Sequence, residues 1–242
     1  MEIRNTKIAY LLPNLFTAGS MFLAILAIVS ASNGNFEKAF WFVVVSSIFD
    51  ALDGRVARLT NTSSLFGKEF DSLADEVAFG VAPAFIFYFA IGKDFGRFGV
   101  LIAAIFAIFG AVRLARFNII SSSTEPNVFI GLPIPAAALS LVCAVLLCKQ
   151  YDIFAQIVLA LGAAIAVLMV SNIRYPSFKQ IDFKKPYFLR VLIALIALLA
   201  FFYLYPLEVL TIITFSYLIA GPARVFWTIY RRKAHNETHK DI

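Results

Sequence analysis

Four aspartates stand close together in FDALDGRVARLTNTSSLFGKEFDSLADEVAFG, residues 49–80, between two strongly apolar runs. Asp50 and Asp53 are three residues apart, and Asp71 and Asp75 are four apart. If both runs are helices, each spacing sets its two carboxylates on one face, with Cβ atoms about 5–6 Å apart. Both pairs also fall at the same end of an antiparallel hairpin, so all four side chains can converge on one small volume. Fully ionised, they would repel one another by about 3 kcal/mol per pair at ~6 Å and an effective dielectric of ~20. Protons or cations must relieve most of that. A proton relay is one answer for acids inside a membrane. Hard divalent cations are the other: they favour clustered oxygen ligands, and two of them cancel four negative charges. A two-metal site can also clamp both sides of an in-line displacement at phosphorus, and the metal reading ranks first.

The neighbours of the acids favour phosphate chemistry over a simple ion path. Gly54 follows Asp53, Ala57 lies a turn further on, and Gly67 stands four residues before Asp71. Small side chains there let a flat or bulky ligand approach the helix backbones. Arg58 adds a cation suited to a phosphate oxygen. Taken singly, the small residues serve helix packing and the arginine membrane topology equally well; it is their combination that points to a ligand.

The elements that must position these residues are membrane helices. The chain of 242 residues is 61% hydrophobic and 15% charged, against roughly 25% charged in soluble domains. Eight apolar spans are expected at residues 8–31, 36–57, 69–91, 96–117, 133–148, 152–172, 188–205 and 207–229, several close to the ~20 residues that cross a bilayer. The fold class expected is all-α, a polytopic membrane bundle with both termini cytoplasmic. That orientation leaves only Lys38, Lys93, Arg97 and Lys149 of the 21 basic residues on the far side, as the retention of cations on the cytoplasmic face requires. A seven-span arrangement breaks the sorting. The first run is too long for a cleaved leader and is read as a span.

The net charge of +6 is therefore local to loops and span ends. Such loops attract anionic lipid headgroups. No water-exposed domain is large enough to serve a nucleic acid. Cys143 and Cys148 lack metal or redox spacing and read as core thiols. His235 and His239 share a polar tail without an accompanying carboxylate motif, and the tail reads as topogenic.

The full spacing is Asp-x2-Asp-Gly-x2-Ala-Arg-x8-Gly-x3-Asp-x3-Asp, running from Asp50 to Asp75 with every defined position filled. It closely resembles the signature of the CDP-alcohol phosphotransferase family of integral membrane enzymes. The resemblance implies attack by an alcohol on the lipid-linked phosphate of a CDP-activated lipid, with CMP leaving. It implies that Asp50, Asp53 and Asp71 bind divalent metal (Mg2+ or Mn2+, two ions), joined in part by Asp75, the expected general base. A carboxylate within hydrogen-bond reach can take the proton of an attacking alcohol. The same likeness implicates Gly54, Ala57, Arg58 and Gly67 at the CDP site. It also brings in Asn14 and Thr17 of PNLFT, residues 13–17, where Pro13 is expected to shape a helix start.

VRLARFNI (112–119), FIGLPIP (129–135) and VSNIRYPSFK (170–179) together look like the phosphatidylserine synthase branch of the family. That implies CDP-diacylglycerol as donor and L-serine as acceptor, with an archaeal ether-lipid counterpart fitting equally well. Arg113 and Arg116 could bind the serine carboxylate or a donor phosphate, or serve as positive-inside anchors. Asn118 could cap its helix or bind ligand. The prolines of GLPIP shape the entry to the fifth span, and Arg174 and Lys179 read as topology before headgroup contacts. One membrane domain is expected over 1–242: a core at 8–180, a C-terminal helix pair at 188–230 and a basic cytoplasmic tail at 231–242. Its reaction chamber is expected to open to the cytoplasmic leaflet of the cell membrane, and family likeness adds a homodimer. The rival readings are a family member accepting glycerol 3-phosphate or inositol phosphate, and an ion transporter.

Overall fold

Runs of apolar residues long enough to span a bilayer have to satisfy their own backbone hydrogen bonds, and helices do so within one segment. The computed structural model describes residues 2–60, 62, 64–120, 128–176 and 200–238. In chain order these form α1 (Glu2–Ser32), α2 (Phe36–Leu59), α3 (Leu65–Asp75), a π-helical turn (Glu76–Val81), α4 (Ala82–Ala90), a 3-10 turn (Gly92–Phe95), α5 (Arg97–Ile120), β1 (Val128–Ile130), α6 (Ile134–Tyr151), α7 (Ala155–Val170), β2 (Arg174–Pro176) and α8 (Pro206–Thr238). The segment from α3 through α4 is one rod, Leu65–Ala90.

The protein is a polytopic helical membrane bundle. Among the described residues, five helices are long and apolar enough to cross a bilayer: Leu11–Ser32, Leu65–Ala90, Arg97–Ile119, Ile134–Tyr151 and Pro206–Trp227. Two other expected spans are helical but fall short of that test. α2 carries Asp50, Asp53 and four further charged residues, and α7 is 16 residues long, just under the usual ~17–25. The expected seventh span, 188–205, lies outside the described residues apart from a helical turn at 200–204.

The packing is that of membrane helices. Small residues fill the contacts: Ala24, Ala27, Ala31, Ala39, Ala78, Ala82 and Ala90 are buried, while Leu15, Phe22, Ile25, Phe98, Leu101 and Ile108 are exposed. Apolar side chains gain nothing by leaving lipid for protein, so close backbone approach and interhelical hydrogen bonds drive association. α1 and α2 show both devices, since Gly19 leaves room for the Phe49 ring and the buried hydroxyls of Ser20 and Ser46 bond at 2.8 Å. Cys143 and Cys148 are free, buried thiols.

Four local features differ from the sequence expectation. The third span starts at Leu65 rather than 69, because Ser64 caps it by accepting from the Gly67 N–H at 3.0 Å. Pro13 lies inside α1, not at its start. α8 runs through Thr238, so much of the expected tail is helical, while His239 and Lys240 lie outside the described residues. Finally, two stretches between the expected spans pair as an antiparallel ribbon, Phe129 opposite Tyr175 and Ile130 opposite Arg174. The prolines of GLPIP act as expected: Pro133 is the N-cap residue of α6, and Pro135 sits in its first turn.

Gly131 closes the ribbon onto the bundle. Its N–H donates to the Ile173 carbonyl at 2.8 Å, its φ is +78°, and a Cβ there would collide with the Met169 carbonyl oxygen. Left-handed backbone alone costs an L-residue about 1–2 kcal/mol. Gly131→Ala is therefore expected to lower the thermal unfolding midpoint in detergent, and an unchanged midpoint would remove Gly131 as the clasp.

Candidate active site

Helix α2 ends, and α3 begins, where the aspartates lie, and the two rods bring them together across the hairpin. One carboxylate oxygen from each of Asp50, Asp53 and Asp71 lies within 4.8 Å of the others. Asp53 is 5% exposed, and α1 supplies its partner: the Thr17 hydroxyl donates to Oδ2 at 2.7 Å, with the Pro13 carbonyl a second acceptor at 3.2 Å. Asp71 Oδ1 is buried with no hydrogen-bond partner. Asp75 sits one turn deeper, set side chain against side chain with Asp50 and within electrostatic range of Asp71 and Arg113. The predicted group of four acids is thus a triad with Asp75 behind it.

Three acceptor-only carboxylates with an orphaned buried oxygen among them form a group able to hold a metal ion. A hard cation satisfies such an oxygen and offsets the mutual repulsion in one step. Left without counter-charge, the triad would be among the most costly features of the fold.

Asp53 and Asp71 of the triad open on a cavity of about 240 Å³, lined by Pro13, Asn14 and Thr17 of α1, Asp53, Gly54, Ala57 and Arg58 of α2, Thr62 and Ser64 of the turn, and Gly67, Lys68 and Asp71 of α3. Every residue predicted for the CDP site is on this wall. The two glycines differ in what they face. A Cβ at Gly54 would meet nothing within 4 Å, so no helix packs there and the space belongs to the cavity. A Cβ at Gly67 would press on Ser64 Oγ at 3.2 Å and Asn14 Oδ1 at 3.3 Å, so that glycine also serves the seating of α3 against α1. Arg58 donates its Nε to the Gly54 carbonyl at 2.9 Å, which anchors the guanidinium at the rim.

Lys68, Thr62 and Ser64 line the cavity and were not among the residues predicted from the sequence. A signal for Lys68 was present: a cation directly after Gly67 and three residues before Asp71. Glu76 was also passed over. Its carboxyl lies against Gly80 and Gly110, with Oε2 buried and unpartnered, in the π-helical turn that follows Asp75. Such turns are frequent at functional sites.

The structure separates the residues predicted for the acceptor side. Arg113 turns inward: it is 7% exposed, its Nε has no partner, and its nearest acid is Asp75. Arg116 instead donates to the Val170 carbonyl at 3.2 Å and to Asn172 Oδ1 at 2.5 Å, capping the end of α7. Asn118 donates to Ser72 Oγ at 2.9 Å and so ties α5 to α3 beside Asp71. Arg174 is exposed on β2, and Lys179 lies outside the described residues.

Helix bundle, acid triad and the cavity beside it agree with a comparison of sequences. The family model for CDP-alcohol phosphatidyltransferase matches residues 10–170, and the chain belongs to that family. Among its relatives, the CDP-diacylglycerol–serine O-phosphatidyltransferase of Helicobacter pylori is 51% identical over 219 residues, 89% of this chain and 91% of that protein. The enzyme of the same name from Bacillus subtilis is 38% identical over 170 residues, 70% of this chain and 92% of that protein. The archaetidylserine synthase of Methanothermobacter thermautotrophicus is 35% identical over 167 residues, 68% of this chain and 69% of that protein.

If the triad holds a cation, Asp71→Asn removes one charge and one ligand together. Mn2+ binding to the purified protein, followed by electron paramagnetic resonance, is expected to weaken at least ~10-fold, the lower end of what an added buried charge contributes. Equal binding by both proteins would exclude Asp71 as a ligand.

Proposed function

We propose that this protein transfers the phosphatidyl group of CDP-diacylglycerol to the hydroxyl of L-serine, giving phosphatidylserine and CMP. The observation that carries the reading is that Asp53 and Asp71 of the acid triad open onto a cavity where Gly54 faces empty space and which the cations Arg58 and Lys68 also line. Bare backbone in a cavity that also holds cations suits a diphosphate that must come close to carboxylates. The names and coverage of the bacterial relatives support serine as the acceptor.

A divalent ion, Mg2+ or Mn2+ and by charge balance two of them, would be held by Asp50, Asp53 and Asp71 with Asp75 as a shared ligand, and would supply neutralisation of the diphosphate charge. The rest falls to the chain's own residues. Thr17 holds the Asp53 carboxylate by its hydroxyl, so that this acid keeps one orientation. Arg58 and Lys68 bind phosphate oxygens from the rim, Arg58 with a planar fork and Lys68 as a point charge. Asn14 and Ala57 border the same nucleotide space. Asp75 accepts the proton of the serine hydroxyl as its oxygen bonds to the lipid-linked phosphorus. The bond from that phosphorus to the bridging oxygen breaks, and the oxygen leaves with CMP. Arg113 binds the serine carboxylate on the far side of Asp75, which its unpartnered Nε supports.

Orientation follows from the basic residues. The charge sorting favours a chamber facing the cytoplasm, where serine is dissolved and CMP is released, with the lipid chains remaining in the bilayer. A homodimer belongs to the same reading, by the likeness of the motif to its family. The archaeal relative supports one second possibility, a CDP-activated ether lipid as donor.

Purified protein in detergent with Mn2+ should release CMP from CDP-diacylglycerol only when serine is added. Release with glycerol 3-phosphate instead would overturn the acceptor. Asp75→Asn is expected to lower kcat by about 10²–10⁴, the usual contribution of a positioned base; turnover near that of the parent would strip Asp75 of the role. Gly54→Ala should leave thermal stability equal or higher, since alanine is favoured over glycine in a helix by about 1 kcal/mol. It should raise the donor KM severalfold by filling the space kept for the diphosphate, and an unchanged donor KM would count against that use of Gly54.

A further inference from the structure

The rod from α3 to α4 changes its winding directly after Asp75, and a side chain that the reaction does not use fills the change. Ala82 donates its N–H to the Val77 carbonyl, five residues back, where an α-helix closes over four. Pro83 has no N–H to offer the ladder, which leaves this turn free to widen. Glu76, the first residue of the wide turn, folds toward Gly80, although side chains on a helix normally lean toward its N-terminus.

Two glycines make room for it. A Cβ on Gly80 would lie 2.7 Å from Cδ and 2.8 Å from Oε2 of Glu76, and nearer still to Oε1. A Cβ on Gly110 of α5 would lie 3.2 Å from the same Oε2, 2.8 Å from Ile134 Cδ1 of α6 and 3.5 Å from Gly80 Cα. The wide turn and α5 therefore meet backbone to backbone, with the Glu76 carboxyl set between them. Its Oε2 is buried without a hydrogen-bond partner, so that oxygen is held by shape rather than by a polar contact. Earlier parts of α3 have other anchors: Ser72 accepts from Asn118 at 2.9 Å, and Gly67 seats against Asn14. Asp75 is the last residue of α3 and borders the wide turn.

We infer that Glu76 is a positioning residue for Asp75: seated in the slot between Gly80 and Gly110, its side chain fixes the wide turn and so the direction in which the neighbouring carboxylate meets the acceptor hydroxyl. The inference rests on the reading of Asp75 as the base and deepens it. An empty slot lets the turn rewind toward an α-helix, in which each residue advances by about 100°, and Asp75 at its edge moves first. Misplacing a reacting group by about 1 Å costs on the order of 10²-fold in rate.

Glu76→Ala empties the slot, Gly80→Ala evicts the carboxyl from it, and Glu76→Gln refills it with the same shape. In the full-length protein with CDP-diacylglycerol, serine and Mn2+, the first two are expected to lower kcat about 10²-fold, with both KM values within about twofold of the parent's. Glu76→Gln should keep kcat within about threefold, because shape and not charge holds the turn. In an Asp75→Asn background Glu76→Ala should add little, since its effect runs through that carboxylate. If Glu76→Ala fails to fold in detergent, Gly80→Ala and Glu76→Gln still decide. A kcat unmoved by emptying the slot or by Gly80→Ala, a glutamine variant as slow as the alanine one, a rise in KM in place of the fall in kcat, or full additivity with Asp75→Asn would each overturn the inference while leaving serine transfer intact. A parent protein that releases no CMP with serine would overturn the transfer reading, and this inference with it.

Discussion

Repulsion between carboxylates held close together in a poorly polarisable medium is the constraint around which this bundle is organised. Asp50, Asp53 and Asp71 share a space of a few ångströms, where charge is screened far less than in water. The protein meets that repulsion partly with its own groups. Thr17 reaches across from α1 to Asp53, and cations gather around the acids, Arg113 on the inner side and Arg58 and Lys68 at the cavity. What these do not reach, such as Asp71 Oδ1, is the part of the site with capacity left for a ligand.

Bringing acids on separate rods this close requires the rods themselves to approach, and that explains the composition of the interior. Alanine, glycine and serine recur in the interior of α1, α2 and the rod from α3 to α4, beside a few large side chains such as Phe40, Phe79 and Phe87, while many leucines, isoleucines and phenylalanines face outward. In water this arrangement would expose the apolar surface that folding normally buries. In lipid the outward residues are already solvated, and close packing with a few interhelical hydrogen bonds holds the helices together. The same economy of side-chain volume that lets the helices touch leaves the Gly54 backbone bare at the cavity.

The two arginines of α5 show how one helix divides its labour. Three residues apart, Arg113 and Arg116 share a face in sequence terms, yet one is buried within electrostatic range of Asp75 and the other closes the last carbonyl of α7. Carbonyls at a helix end need donors, and Arg116 is the cation at the right depth to provide them. The ribbon of β1 and β2 sets the end of α7, and through Tyr175 it also docks α8. The ribbon thus joins segments far apart in the chain.

Legibility followed the range of the interactions. Asp50, Asp53, Asp71 and Asp75, with Gly54, Ala57, Arg58 and Gly67 between them, could be recognised because their spacing is a property of single helices and one short turn. The apolar runs set most helix bounds for the same reason, as lipid rewards length and hydrophobicity locally. The helix start at Ser64, the helical setting of Pro13 and the pairing of residues 128–130 with 174–176 depended on partners that spacing does not reveal. The sequence alone determined which acids stand together on each rod and that those rods lie in a membrane. Only the tertiary structure decided that Asp75 stands behind a triad, that Arg113 rather than Arg116 turns inward, and that Tyr175 of the ribbon docks α8. Those relations are set by how separate helices rotate and slide against one another, and that is fixed by packing across the whole bundle.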